Sequence, residues 1–163
     1  MDITWEFILR IFVAAMLGGA IGLEREYRAK EAGLRTHFLV ALGSALFMIV
    51  SAYGFSGIEL GEEQRWDIAR IAAQVVTGIG FIGAGLIIKN KYDVSGLTTA
   101  ASIFATSIIG IAVGVGLIKV SVIVTVIVTL VLASSFLFHE GNSREIALEK
   151  MEEDEKNKKE NKQ

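Results

Sequence analysis

The chain of 163 residues contains no cysteine and no proline, and only two histidines. Without cysteine there is no disulfide framework, no thiolate metal site and no cysteine nucleophile, and sulfur chemistry carries no compartment signal. An excess of positive charge is also missing: the formal net charge is −2, so no basic stripe is available for a nucleic-acid backbone. Charge is scarce in most of the chain, because 14 of its 34 charged residues (16 Lys and Arg, 18 Asp and Glu) crowd into residues 139–163. The chain as a whole is 52% hydrophobic, with 17 glycines and a mean hydropathy of +0.52, which excludes an ordinary water-soluble globule.

Five apolar runs approach the ~20 residues needed to cross a hydrocarbon core. They are Trp5–Leu23, Phe38–Phe55, Ile68–Ile88, Leu97–Val115 and Leu117–Phe138. None shows the period-2 alternation of a barrel strand. The expected fold is therefore all-α, a polytopic bundle of five transmembrane helices over residues 1–138, followed by a charged, partly disordered tail over 139–163. The first run has an acidic leader, and Glu24, Arg25 and Glu26 follow it where a signal peptide has a small-residue cleavage site, so it reads as a retained helix. Lys and Arg divide 12 to 4 between the two sides of a five-span chain. The positive-inside rule then puts the amino end outside and the tail in the cytoplasm. The turn around Gly114–Lys119 is the weakest boundary, since one bent helix there would replace two and move the tail across.

Ionisable side chains inside spans mark where bundle interiors or polar paths lie. On the outer side, Glu6 and Arg10 share one helix face, and Asp67, Arg70 and Gln74 share another. Two acids and two bases fit an interhelical lock better than a Mg²⁺ cage, and no metal site is expected. At the inner boundary stand Glu24, Arg25, Glu26, Arg35, Thr36 and His37. Glu24/Arg28, Glu26/Lys30 and Glu31/Arg35 have favourable i, i+4 order, Thr36 is placed to cap the second helix, and Arg35 can reach carboxylates or lipid phosphate.

Gly78 to Gly83 spells a dinucleotide-binding turn but lacks the preceding strand and the later acidic residue. In lipid, small residues instead allow close helix approach. Gly18/Gly22, Gly80/Ala84 and Gly110/Gly114 have that spacing, and the fourth span carries Thr98, Thr99, Ser102, Thr106 and Ser107. Bundle packing is the plainer reading, and a path lined by glycines and hydroxyls is the alternative.

Four blocks in order, Gly18–Glu26, Ala32–His37, Asp67–Gln74 with Thr77–Gly85, and Gly96–Ala101, resemble the MgtC/SapB family of bacterial inner-membrane proteins over about residues 5–116. The resemblance implies five spans and a link to adaptation to low Mg²⁺. It also implies survival of intracellular pathogens in macrophages and, in one branch, restraint of the F-type ATP synthase. It does not imply a demonstrated transporter. The matching positions are Glu24, Arg25, Arg35, Thr36, Asp67, Arg70, Gln74, Gly78, Gly80, Gly83, Gly85, Gly96 and Thr98. Longer members continue into a folded cytoplasmic domain, whereas a charge-rich tail of about 25 residues follows the last span here, as expected of the shorter SapB-like branch. Ile103-Phe104-Ala105 stands where many relatives have tryptophan and cysteine.

Two functions follow. One is a regulator that binds another membrane complex. The other is a transporter or channel for Mg²⁺, another cation or a small solute, whose path five spans would build most readily at a homodimer interface. No nucleophile–base pair, metal motif or cofactor fingerprint points to an enzyme.

Overall fold

The computed structural model describes residues 3–54, 68–89 and 94–134, with side chains placed from residue 4 and, in the second stretch, from residue 72. In chain order the elements are α1 (Ile3–Tyr27), α2 (Leu34–Tyr53), α3 (Ile68–Leu86), the two-residue strands β1 (Ile88–Lys89) and β2 (Val94–Ser95), and α4 (Leu97–Gly114). A fifth helix, α5, covers Ile118–Ser134. The chain divides into two units, Met1–Thr129 and Leu130–Gln163. The first holds everything discussed below; of the second, Leu130–Ser134 is described, as helix. The charged tail expected over 139–163 lies outside the described residues.

α1, α2 and α4 pack mutually, and α3 lies against α4 and α2. The polarity of this packing is the reverse of a soluble protein's. Its interior is rich in small and hydroxylated residues, with Ala14, Ala41, Ala45, Ser44, Ser102 and Thr106 buried beside the aliphatic Ile21, Ile103, Ile109 and Val113. Its exterior is oily, with Phe12, Leu39, Phe47 and Phe81 at least 60% exposed. Lipid tails are as apolar as leucine, so bundle interiors in a bilayer are selected for close backbone approach while large side chains face outward. Thr4–Tyr27, Leu34–Tyr53 and Leu97–Gly114 are long and apolar enough to cross a membrane, and Ala72–Leu86 and Ile118–Ser134 are shorter apolar helices. The 20 residues of α2 rise about 30 Å, the thickness of the hydrocarbon core.

Glycines set how closely the three-helix core packs. A Cβ on Gly18 would lie 2.5 Å from the His37 carbonyl oxygen, and one on Gly22 would lie 2.7 Å from Leu34 Cα. From the other side, a Cβ on Gly114 would lie 2.8 Å from Met48 Cβ, and one on Gly110 would collide with the Ala41 carbonyl. α2 is thus clasped between the glycine faces of α1 and α4.

The helix ends differ from expectation in two places. α1 ends at Tyr27 in a Schellman motif: Lys30 N–H bonds Arg25 O at 3.1 Å, Ala29 N–H bonds Glu26 O at 3.0 Å, and Ala29 takes a φ of +50°. α2 begins at Leu34, four residues before the apolar run, with Gly33 as N-cap and no capping side chain of its own. The cap expected from Thr36 is supplied instead by Glu26 of α1, whose Oε2 accepts Leu34 N–H at 2.8 Å. Gly33 makes room for that carboxylate, since a Cβ there would stand 2.7 Å from it. Gly114–Lys119 is a true break between two helices. Gly116 at φ +94°, with Leu117 N–H to Ala112 O at 2.9 Å and Gly116 N–H to Val113 O at 2.9 Å, closes α4 in a second Schellman motif.

Candidate functional site

The most polar part of the interior lies where α1 and α2 turn against the start of α4. Because α1 runs on to Tyr27 and α2 starts at Leu34, Arg25 and His37 belong to helices and are buried, 2% and 0% exposed, instead of standing at a solvated boundary. Arg25 donates from Nη2 to Thr99 Oγ1 at 3.1 Å, and that hydroxyl donates onward to Glu31 Oε2 at 2.9 Å. One hydroxyl thereby connects a buried cation on α1 to a carboxylate in the α1–α2 turn. The Glu31 carboxyl is held below the ordinary carboxylate range, first by its own backbone N–H and then by Thr99. Glu24 forms an ion pair with Arg28, as the i, i+4 spacing anticipates.

His37 bridges the same helices. Its Nδ1 lies 2.9 Å from the Gly33 carbonyl, which can only accept, so Nδ1 carries a proton. Its Nε2 lies 3.0 Å from Ser102 Oγ, which is also 2.8 Å from the Thr99 carbonyl. Ser102 has one hydroxyl proton for two acceptors. If it goes to Nε2, the neutral imidazole is satisfied at both nitrogens; if it goes to Thr99 O, Nε2 keeps a hydrogen bond to Ser102 only by donating.

A second lock occupies the other end. Arg10 pairs with Glu6 on its own helix and donates from Nη1 to the Gly114 carbonyl at 2.9 Å, at the negative end of α4. The guanidinium carbon also stands 5.9 Å from the Phe7 ring centroid and 6.0 Å from that of Tyr53 on α2. Arg10 thus ties α1 to α4 and α2. Of the α3 half of the expected outer cluster, Asp67 and the Arg70 side chain lie outside the described residues, and Gln74 is exposed and lines a cleft against α2.

Of the remaining motif positions, a Cβ on Gly83 would lie 3.7 Å from Ala100 Cβ, in ordinary contact. Gly78, Gly80 and Gly85 would meet nothing within 4 Å. Gly96 holds the left-handed turn, φ +84°, that starts α4, and Thr98 is exposed. Arg35 is exposed on the first turn of α2 and Thr36 lies within that turn. Thr99, Ser102, Glu31 and the Gly114 carbonyl emerge only from the packing. The signal for the first two was the i, i+3 hydroxyl spacing on α4. Thr106, Ser107, Ser121 and Thr125 donate to carbonyls three or four residues back, which lets a hydroxyl be buried as a small group. Among the described residues no group of three or more His, Asp or Glu is placed to hold a metal ion.

A model of the MgtC family matches residues 11–140. The chain is 50% identical over 137 residues to the Escherichia coli K12 protein named "Putative magnesium transporter YhiD", covering 84% of this chain and 62% of that protein. It is 44% identical over 115 residues to protein MgtC of Brucella abortus 2308 (71% and 45% covered). To protein MgtC of Salmonella typhimurium 14028s it is 39% identical over 142 residues (87% and 56% covered). The chain thus spans about half to three-fifths of the length of these relatives. No solved structure matches it. The inverted packing, the glycine clasp and a family match over most of the sequence agree, and the chain belongs to the MgtC family of membrane proteins.

Proposed function

We propose that this protein is a membrane-embedded regulator that binds another membrane complex under magnesium limitation, and that it does not itself conduct Mg²⁺. The observation that carries this reading is the α2–α3 face. Leu39, Gly43, Phe47, Gln74, Gly78 and Ile82 help line an open cleft of about 560 Å³. A Cβ on Gly43, Gly78, Gly80 or Gly85 would meet nothing within 4 Å. Small residues in a bilayer mark where helix backbones come together, and these are unused by the described helices of the chain. Conduction needs polar groups left available to a permeant, whereas Arg10, Arg25 and His37 are engaged by α4. The magnesium in the YhiD relative's name and the family resemblance supply the context, and the F-type ATP synthase is the first complex to test. The 12 to 4 division of Lys and Arg supports the bacterial cytoplasmic membrane, with the α1–α2 turn and the tail inside and the amino end outside.

Pull-down from native membranes in a lipid-preserving detergent, read by mass spectrometry, tests the proposal. A stoichiometric membrane partner is expected with the wild type and not with Gly78→Leu, which fills the cleft. A homomer without a partner refutes it and makes a second copy the occupant. Glu24 favours the transport reading: its carboxylate is buried, and apart from the ion pair of Oε1 with Arg28 it accepts no hydrogen bond among the described residues. Proteoliposome flux that is above empty vesicles and abolished by Glu24→Gln would establish that reading instead.

A further inference from the structure

A second groove, of about 500 Å³, runs between the outward faces of α1 and α2 and shares only Leu39 with the α3 cleft. Met16, Ala20 and Leu23 of α1 and Leu34, Arg35 and Phe38 of α2 form its walls. Every one of these is apolar except Arg35, which stands at one end, on the first turn of α2. From Leu23 back to Met16 the groove follows about 10 Å of helix, against roughly 15 Å for the hydrocarbon half-thickness of a bilayer. Gly19 forms part of the floor, with an added Cβ in ordinary contact with Leu34 and Phe38 at 3.4 and 3.5 Å.

Among the described residues, the carboxylates closest to Arg35 in the chain are committed elsewhere. Glu31, its i−4 neighbour, is turned to Thr99; Glu26 caps Leu34 N–H; Glu24 pairs with Arg28. Among the described residues no ion pair or hydrogen bond holds the Arg35 side chain. The result is a cation at the polar mouth of an oily channel. That asymmetry matches one amphiphile: an acyl chain for the channel and an anionic head for the guanidinium, which is suited to phosphate. We propose that the α1–α2 groove is a binding site for an anionic phospholipid, with one acyl chain along Met16–Leu23 and the headgroup phosphate on Arg35.

The test is native mass spectrometry of the delipidated full-length protein, titrated with phosphatidylglycerol and with phosphatidylcholine of identical acyl chains. The expected preference for phosphatidylglycerol is about fivefold, which corresponds to ~1 kcal/mol for one basic residue near a membrane surface. Arg35→Gln should remove that preference. Lys30→Gln, at an exposed neighbour that does not line the groove, should keep it. Ala20→Phe, which places a ring in the channel, should weaken both lipids, and inorganic phosphate should not compete. Equal binding of the two lipids by the wild type, or a preference that survives Arg35→Gln, overturns the proposal. So does equal loss in Lys30→Gln, which would indicate diffuse charge, or unchanged binding in Ala20→Phe. Competition by inorganic phosphate would reassign the site to a free anion. Because Arg35 and Ala20 are both exposed, helical content and melting temperature should stay at wild-type values in these variants.

Discussion

Gly22→Ala and Gly78→Ala add the same methyl group to the middle of two helices, and the structure gives them different consequences. At position 22 the new Cβ would stand 2.7 Å from Leu34 Cα, 2.8 Å from Gly33 O and 3.0 Å from Leu34 N. All three are backbone atoms, so no rotamer change relieves the clash, and α1 has to move off α2. Ordinary contact begins near 3.4 Å, so the shift required is about 0.7 Å. A gap of 0.5–1 Å already forfeits roughly a quarter to a half of the dispersion well at the surrounding contacts. Overpacking of this kind costs ~1–3 kcal/mol. Alanine's advantage in helix propensity offsets little, because segments separated in lipid remain helical. At position 78 nothing lies within 4 Å, and the expected change is within ~0.5 kcal/mol. Gly19→Ala, with contacts at 3.4 and 3.5 Å, is a control on the same helix as Gly22 and should also be near neutral. Thermal or SDS-induced unfolding in mixed micelles measures all three. A Gly22→Ala protein as stable as the wild type, or a Gly78→Ala loss as large as that of Gly22→Ala, would refute the clasp of α1 on α2.

Ala29→Gly should raise stability by up to ~1 kcal/mol, seen as a higher melting temperature, because position 29 sits at φ +50°, where a Cβ is penalised. Thr99→Val keeps the shape but removes the hydroxyl between Arg25 and Glu31; a loss of about 2–3 kcal/mol is expected in the same unfolding assay. Ser102→Ala should cost less, ~1–2 kcal/mol, since it strands His37 Nε2 but no fixed charge. Acid titration of stability tests Glu31. Its folded carboxyl ionises more readily than the unfolded one, so its stabilisation is complete above the ordinary carboxylate pKa of about 4.3 and is lost as pH falls through the folded value. Glu31→Gln should flatten that acid limb, and an unchanged limb would show that Thr99 does not hold the carboxylate.

Hydropathy and spacing alone determined that the chain is a bundle of apolar helices, and that Gly18/Gly22 and Gly110/Gly114 were candidates for close packing. They also placed Glu6/Arg10 and Glu24/Arg28 on shared faces, because the period of a helix fixes which residues lie one turn apart. Only the tertiary structure decided which helix each face meets. Arg25 reaches Thr99 across 74 positions and His37 reaches Ser102 across 65, and no local pattern encodes a partner so far along the chain. The start of α2 was misplaced for the same reason, since its cap comes from Glu26 on the preceding helix. Glycines that read alike also separated: those of α1 and α4 close on α2, while Gly78, Gly80 and Gly85 of α3 stand open. A glycine marks where a backbone can be approached, and whether anything approaches it is a property of the assembled bundle.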